Sequence, residues 1–357
     1  MSASIRVDIM RGGTSRGVFA LAGDLPTEKS ALDDVVRAIM GSPDSFQIDG
    51  LGGTHAVSSK FVTVSLSDRP GADLDFQVAQ VGVGDNLVDW SGTCGNLTSA
   101  VAPFAVNRGL LSVASGPARQ DVVLYNESTR DLIQVSVSCS EGRFDPIGDT
   151  AIDGVAGTGS LIPTTYLDPA GGTLGVVFPT GNPTDYIQFD GVEVPVTLAD
   201  ITHPYAFVSG EDLGVSIHSS FADLHGDVVL QSRIEHLRAA LAVRLGASEA
   251  QRSSVPRMML CFPPREASDD IEVRAFAGGR FHPTVPVTGA FAAAAAARLE
   301  GTLVASMAIV RNSQVAVIRH PSGIAEVDVD VRGGQTVVSV GLNRTARLIM
   351  SGDVFVD

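Results

Sequence analysis

The sequence predicts an α+β protein built as two similar, strand-rich halves, each with one very apolar helix. Three observations lead there. At 357 residues the chain has room for two cores of ordinary domain size. Short segments alternating apolar and polar residues recur along its whole length, the period-two signature of strands with one buried face. Two helical stretches break that rhythm: one begins near Cys94 and ends near Asn107-Arg108-Gly109, and the other runs from Thr288-Gly289-Ala290 into the six alanines Ala292 to Ala297. The second combines high helix propensity with little bulk, which suits a helix threaded through a crowded sheet.

Bulk properties narrow the function. A hydrophobic content of 44% excludes disorder, and no apolar run reaches the ~18 residues of a membrane span. The net charge is −15, from 25 basic and 40 acidic residues with no basic block, so neither nucleic acid nor membrane is an expected partner. The same sign repels small anions, so a carboxylate site has to be built locally from N–H groups and a few Lys or Arg. Three cysteines, none in a CxxC pair, argue against a disulfide framework. Met1 to Asp8 carries no apolar core or cleavage signal, and a cytoplasmic location is expected.

In order, Ile5 to Met10 alternate as a strand, Arg11-Gly12-Gly13-Thr14-Ser15-Arg16-Gly17 form a glycine-rich turn, and Val18 to Leu21 return as a strand. The turn lacks the Lys-Ser/Thr ending of a phosphate-binding loop; it is either a tight turn or a cradle in which two arginines and backbone N–H groups hold a carboxylate. Leu25 to Met40 has helical spacing. Lys60 opens the strand Phe61 to Leu66 beside the polar Ser58-Ser59, either as a solvated lysine or as a desolvated amine able to act as a base. Strands are further expected at Leu74–Val83, Val122–Tyr125, Leu132–Ser138 and Gly175–Phe178, with a break at Pro179 to Pro183. Beyond it, Asp227 to Leu245 reads as a helix with Ile234, Leu237, Leu241 and Val243 inward. Strands follow at 192–196, 206–208, 257–262, 271–277, 305–310, 315–319, 325–331 and 336–340.

The chemistry concentrates at Ser91 to Val106. Ser91, Gly92 and Thr93 precede a helical apolar run, so the free N–H groups of a helix N-terminus fall around Cys94, Gly95, Asn96 and Leu97. A thiol there sits in a positive field that favours thiolate, beside donors for a carboxylate or a developing enolate. The plainer alternative is a buried cysteine acting as a small hydrophobe. Cys139 and Cys261 read as structural.

Taken together, Met10 to Gly17, Gly53-Thr54-His55 with Ser59-Lys60, Cys94-Gly95-Asn96, Asp200 to Pro204, Thr288-Gly289-Ala290 and His320-Pro321-Ser322-Gly323 resemble the PrpF family, in order and over nearly the whole length. The resemblance implies the diaminopimelate epimerase-like fold: two similar domains, here 1–185 and 186–357, each a strongly curved, mostly antiparallel sheet around a central helix, with the active site between them. It implies isomerases that move a C=C bond, by an allylic 1,3-proton shift or a cis/trans change, in unsaturated di- or tricarboxylates such as 4-oxalomesaconate, methylaconitate or aconitate, without cofactor; no H-x-x-x-H pair or acidic cluster with ligand spacing appears, so no metal is expected. The family's acid/base pair falls on Lys60 and Cys94. Substrate contacts are expected from Arg11, Gly12, Gly13, Thr14, Ser15, Arg16, Ser59, Gly95, Asn96, His282, Thr288, Gly289, Ala290 and His320. The two histidines, each before a proline, read by default as capping or turn residues, and Arg16 stands where the family commonly has lysine. Diaminopimelate epimerases use two facing thiols; the second is missing from Thr288 to Ala297, which disfavours racemisation of an amino acid. The alternative is a non-enzymatic, carboxylate-binding helper of an aconitase-like dehydratase. The expected partner is a small anionic polycarboxylate, and the sequence leaves monomer and homodimer open.

Overall fold

The protein is described by a computed structural model covering residues 3–247 and 255–356. The chain separates into two compact units, Met1–Tyr166 with Asn343–Asp357, and Leu167–Leu342. The sequence-based division after residue 185 differs at both ends: the units part about twenty residues earlier, and the final strand returns to the first unit.

In that unit, β1 (Ala3–Gly12) and β2 (Ser15–Leu21) form a hairpin, α1 (Lys29–Met40) crosses over, and β3 (Lys60–Leu66) and β4 (Leu74–Val81) form the next hairpin. The short β5 (Val88–Asp89) leads to α2 (Gly95–Asn107), which crosses to the hairpin of β6 (Ala118–Asn126) and β7 (Leu132–Ser140), followed by β8 (Arg143–Phe144) and β9 (Ile162–Leu167). Hairpin partners are antiparallel. The two helical crossovers make β2 parallel to β3 and β4 parallel to β6, as a crossover connection must. The C-terminal strand, Ala346–Val356, runs antiparallel to β1.

Alternation then assigns the faces. Val18, Ala20, Phe61 and Ala79 pack with Val36, Ile39 and Met40 of α1. The intervening residues face α2, where the Phe19 ring lies 5.5 Å from that of Phe104. Every residue of α2 from Leu97 to Val106 is buried, which explains why its sequence is apolar on all sides.

The second unit repeats the plan. After β10 (Asp185–Phe189), β11 (Val192–Ile201) and β12 (His203–Ser209) form a hairpin, and α3 (Phe221–Gly226) with α4 (Val228–Arg244) cross to the hairpin of β13 (Arg257–Phe262) and β14 (Ile271–Ala277). Then β15 (Arg280–Phe281), α5 (Val287–Ala296) and α6 (Leu303–Met307) lead to the hairpin of β16 (Val315–His320) and β17 (Gly323–Arg332), and β18 (Thr336–Arg344) precedes the C-terminal strand, β19. The crossovers again join parallel strands, β12 with β13 and β14 with β16. The small side chains of α5 let it touch β11, β12, β16 and β17, and Gly289 to Ala296 are all buried.

Four local expectations differ from the structure. The expected strand at 175–178 is a loop wound around Asp200, whose carboxylate accepts the N–H groups of Thr173 (2.9 Å) and Leu174 (2.6 Å) while Gly171 and Gly175 take positive φ. The expected strand at 305–310 begins as α6, because Thr302 Oγ1 caps the N–H of Ala305 at 3.0 Å. Val243 is 62% exposed, since it lies two residues, about 200°, around the helix from the buried Leu241. The turn expected across 11–17 narrows to Gly13-Thr14, with its flanks in β1 and β2.

Candidate active site

The face of the first sheet that holds α2 carries Gly12 on β1, Ser15 and Gly17 on β2, and Lys60 at the head of β3. Two glycines there let the helix close on the strands. A Cβ on Gly12 would stand 2.4 Å from the carbonyl oxygen of Asn96, and one on Gly17 would stand 2.8 Å from Leu97 Cδ1 and 3.6 Å from Lys60 Cβ. The parallel register pairs Val18 with Phe61, so Gly17 lies beside Lys60 and the lysine side chain leaves the sheet on the α2 side.

Cys94 is the N-cap of α2 and is half-buried. Its Sγ lies 3.8 Å from Ser15 Oγ. The first intrahelical bond runs from Thr98 N–H to the Cys94 carbonyl at 2.9 Å, leaving the N–H groups of Gly95, Asn96 and Leu97 without helical acceptors. Lys60 is 7% exposed. Its Nζ donates to Oε1 of Gln80, the residue opposite it in the β3–β4 pairing. The buried amine therefore meets a neutral amide rather than a carboxylate. Thus Ser15 and Gly17, two residues apart on one strand face, bring Cys94 and Lys60 to the same end of the same sheet.

The turn before Ser15 is tied to this entrance. Asn96 Nδ2 donates to Thr14 Oγ1 at 3.0 Å, and Arg344 Nε donates to Asn96 Oδ1 at 3.2 Å. Arg11 Nη1 braces the turn by donating to the carbonyls of Gly13 and Thr345, both at 2.9 Å. Burial and the charge of Arg347 lower its pKa from the ordinary value. Arg16 and Ser59 turn elsewhere: Arg16 Nη2 donates to the Gly52 carbonyl at 3.3 Å, and the buried Ser59 hydroxyl accepts from Gln47 Nε2 at 2.7 Å.

In the second unit, α5 starts at Pro286, where α2 starts at Cys94, and Arg257 heads β13 as Lys60 heads β3. Thr288 Oγ1 lies 3.0 Å from the Tyr205 hydroxyl and accepts from Arg257 Nη1 at 3.4 Å. A Cβ on Gly289 would stand 3.0 Å from the same tyrosine hydroxyl, and Ala290 is buried. The N-cap position that carries a thiol in the first unit thus carries a proline in the second, and the hydroxyl that meets the guanidinium belongs to Thr288, two residues further on. His282 Nε2 lies 3.3 Å from the Ala277 carbonyl, and burial, aided by the charge of Arg257, lowers the pKa of its ring. His320 stands at the β16–β17 turn, where its Nδ1 accepts the N–H of Ser322 at 3.2 Å, and it lines a polar hollow of about 310 Å³ with Arg265, Glu272, Arg274 and Arg319.

Sequence reasoning missed Gln80 and Arg344 in the first unit and Tyr205 and Arg257 in the second. Gln80 carried no signal that sets it apart from Asp75 and Gln77, the other half-buried polar residues of β4. The others carried none either, because their neighbours come from distant segments.

Repeated hairpins joined by helical crossovers, each unit around one apolar helix, define an α+β protein of the diaminopimelate epimerase-like fold. The chain superposes on the crystal structure of a methylitaconate-delta-isomerase with a TM-score of 0.89 at 32% identity, over 99% of this chain and 96% of that one. A hydroxyproline epimerase from Agrobacterium vitis shares the fold at a TM-score of 0.56 and 13% identity, over 100% of this chain and 94% of that one. The family model described as PrpF protein matches residues 2–357. A (4E)-oxalomesaconate Delta-isomerase from Novosphingobium sp. (strain KA1) is 38% identical over 349 residues, 97% of this chain and 96% of that protein. The chain belongs to the PrpF family and is an isomerase. Relatives named as isomerases and tautomerases do not favour the reading as a non-enzymatic helper.

Proposed function

We propose that the chain moves a C=C bond in an unsaturated di- or tricarboxylate of the 4-oxalomesaconate, methylaconitate or methylitaconate type. Lys60 removes a proton from the carbon next to the double bond. The electron pair spreads over the allylic system into the adjacent carboxylate or carbonyl as a dienolate. Cys94 returns a proton at the far allylic carbon, and the double bond shifts by one position. Rotation within the dienolate before reprotonation gives a cis/trans change from the same groups. The N–H groups of Gly95 and Asn96 oppose the negative charge that develops, an effect worth ~3 kcal/mol for a well-placed donor.

The observation that carries this reading is the presentation of a buried amine and of a half-buried thiol, borne by the N-cap residue of α2, on one face at one end of the first sheet, around Gly17 and Ser15. No helix among the described residues is long and apolar enough to cross a membrane. We place the enzyme in the cytoplasm because Cys94, Cys139 and Cys261 are all unpaired thiols.

Purified protein incubated with 4-oxalomesaconate, methylaconitate, methylitaconate and aconitate, followed by ultraviolet absorbance and by substrate deuterium uptake from D2O, tests the reading. Lys60→Ala and Cys94→Ser should each lower turnover roughly 10²–10⁴-fold with far smaller effects on KM, the scale of general acid–base catalysis. Near-wild-type exchange in both variants removes the assignment.

A further inference from the structure

A polycarboxylate approaching this chain meets a net charge of −15 unless the site is locally positive. Many arginines of the described residues are already answered by carboxylates, as Arg108 is by Asp8, Arg274 by Glu272 and Arg298 by Asp270. Arg344 is not. Its Nε donates to Asn96 Oδ1 (3.2 Å) and its Nη1 to the carbonyl of its neighbour Asn343 (2.9 Å). Among the described residues no Asp or Glu forms an ion pair with it, and burial lowers its pKa from the ordinary value.

A half-buried guanidinium without a counter-ion costs free energy, and two bonds to neutral oxygens return only part of it. The surroundings nevertheless make room for it. A Cβ on Gly13, which already has φ +48°, would lie 3.1 Å from Arg344 Cδ and 2.2 Å from Asn96 Oδ1. Asn96 takes its orientation from the pair of bonds it makes: its oxygen faces Arg344 and its nitrogen faces Thr14. Two residues before it is Cys94, so the unanswered charge stands at the entrance of α2, beside the proposed acid.

We propose that Arg344 receives one carboxylate of the substrate, the anion supplying the counter-ion that the protein withholds, and that Asn96 is the positioning residue that aims the guanidinium. The assignment rests on the polycarboxylate reading of the site. It differs from a purely structural tie between the C-terminal segment and α2 in one respect: the loss on substitution depends on which carboxylates the ligand carries.

The test is the affinity of wild type, Arg344→Met and Arg344→Lys for tricarballylate, an unreactive saturated tricarboxylate, and for its diacid analogues glutarate and methylsuccinate, by titration calorimetry. Arg344→Met should weaken tricarballylate about 10- to 100-fold, the worth of a charge-assisted hydrogen bond. Arg344→Lys, which keeps the charge without the planar fork, should lose less, and it carries the test where the Met variant melts early. For the diacid lacking the recognised carboxylate, wild type and variants should agree within twofold. Equal affinities for tricarballylate, the same loss for all three acids, or no binding to wild type overturns the assignment. Turnover is scored separately: wild-type turnover with unchanged variant affinity removes Arg344 alone, whereas selective loss of affinity without turnover of the four test substrates upholds Arg344 and removes the proposed C=C shift in them.

Discussion

Gly12→Ala is the sharpest test of how the α2 entrance is built. The added methyl would lie 2.4 Å from the backbone oxygen of Asn96, 3.0 Å from Leu97 Cα and 3.1 Å from Ala100 Cβ. Real Cβ atoms essentially never approach closer than 3.0 Å, so the first turn of α2 has to retreat by at least 0.6 Å (3.0 minus 2.4) or β1 has to bend. The obstacle is helix backbone, which no rotamer change relieves. Overpacking of this kind costs about 1–3 kcal/mol, a large share of the roughly 5–15 kcal/mol that holds a domain folded. The same retreat carries Asn96 and Cys94 away from Thr14, Ser15 and Lys60, and misplacement by about 1 Å can cost 10²-fold in rate. Urea unfolding and steady-state kinetics on one preparation measure both effects. Gly23→Ala, where an added Cβ meets nothing within 4 Å, is the control and should be neutral or slightly stabilising. A Gly12→Ala protein with wild-type midpoint and wild-type kcat would refute the close approach of β1 to α2 and the site built on it.

Two further outcomes follow from individual contacts. Gln80→Met removes the acceptor of the Lys60 amine while keeping the length of the side chain; kcat should fall about tenfold with KM within twofold, since the amine loses its aim, and the melting temperature should drop, since a buried donor left without its acceptor costs about 1–3 kcal/mol. Glu272→Gln breaks a buried carboxylate held by Arg265 Nε and Nη2 and by Arg274 Nη2, all at 2.7 Å, and should destabilise the second unit by about 3 kcal/mol. Burial pushes the Glu272 carboxyl up, but the arginine hydrogen bonds and charges outweigh it and hold the pKa below the ordinary value. The unfolded chain therefore binds the proton first, and the contribution to stability is full above the ordinary carboxyl range and lost as pH falls through the lower folded value. Denaturation midpoints between pH 6 and pH 3 should fall more steeply in wild type than in the variant; parallel curves would deny the network that role.

Sequence alone determined what depends on neighbours along the chain. Alternation marked most of the strands, helical spacing with Ser91 to Thr93 ahead of it placed Cys94 at the helix start, and the alanine run announced a helix that others pack against closely. It misread 175–178 and 305–310, where apolar residues suit strand and loop or helix alike and where the deciding contacts are the Asp200 carboxylate and the Thr302 hydroxyl. Resemblance to a family selected Lys60 from among ordinary surface lysines, a choice that period and composition left open. Tertiary structure decided the rest: the parallel register that sets Gly17 beside Lys60, the pairing that puts Gln80 opposite it, the return of β19 to β1, and the arrival of Arg344 at Asn96, 248 positions away in the chain. A residue's local pattern specifies which way its side chain points, whereas the partner it meets there depends on which distant strand comes alongside and in what register.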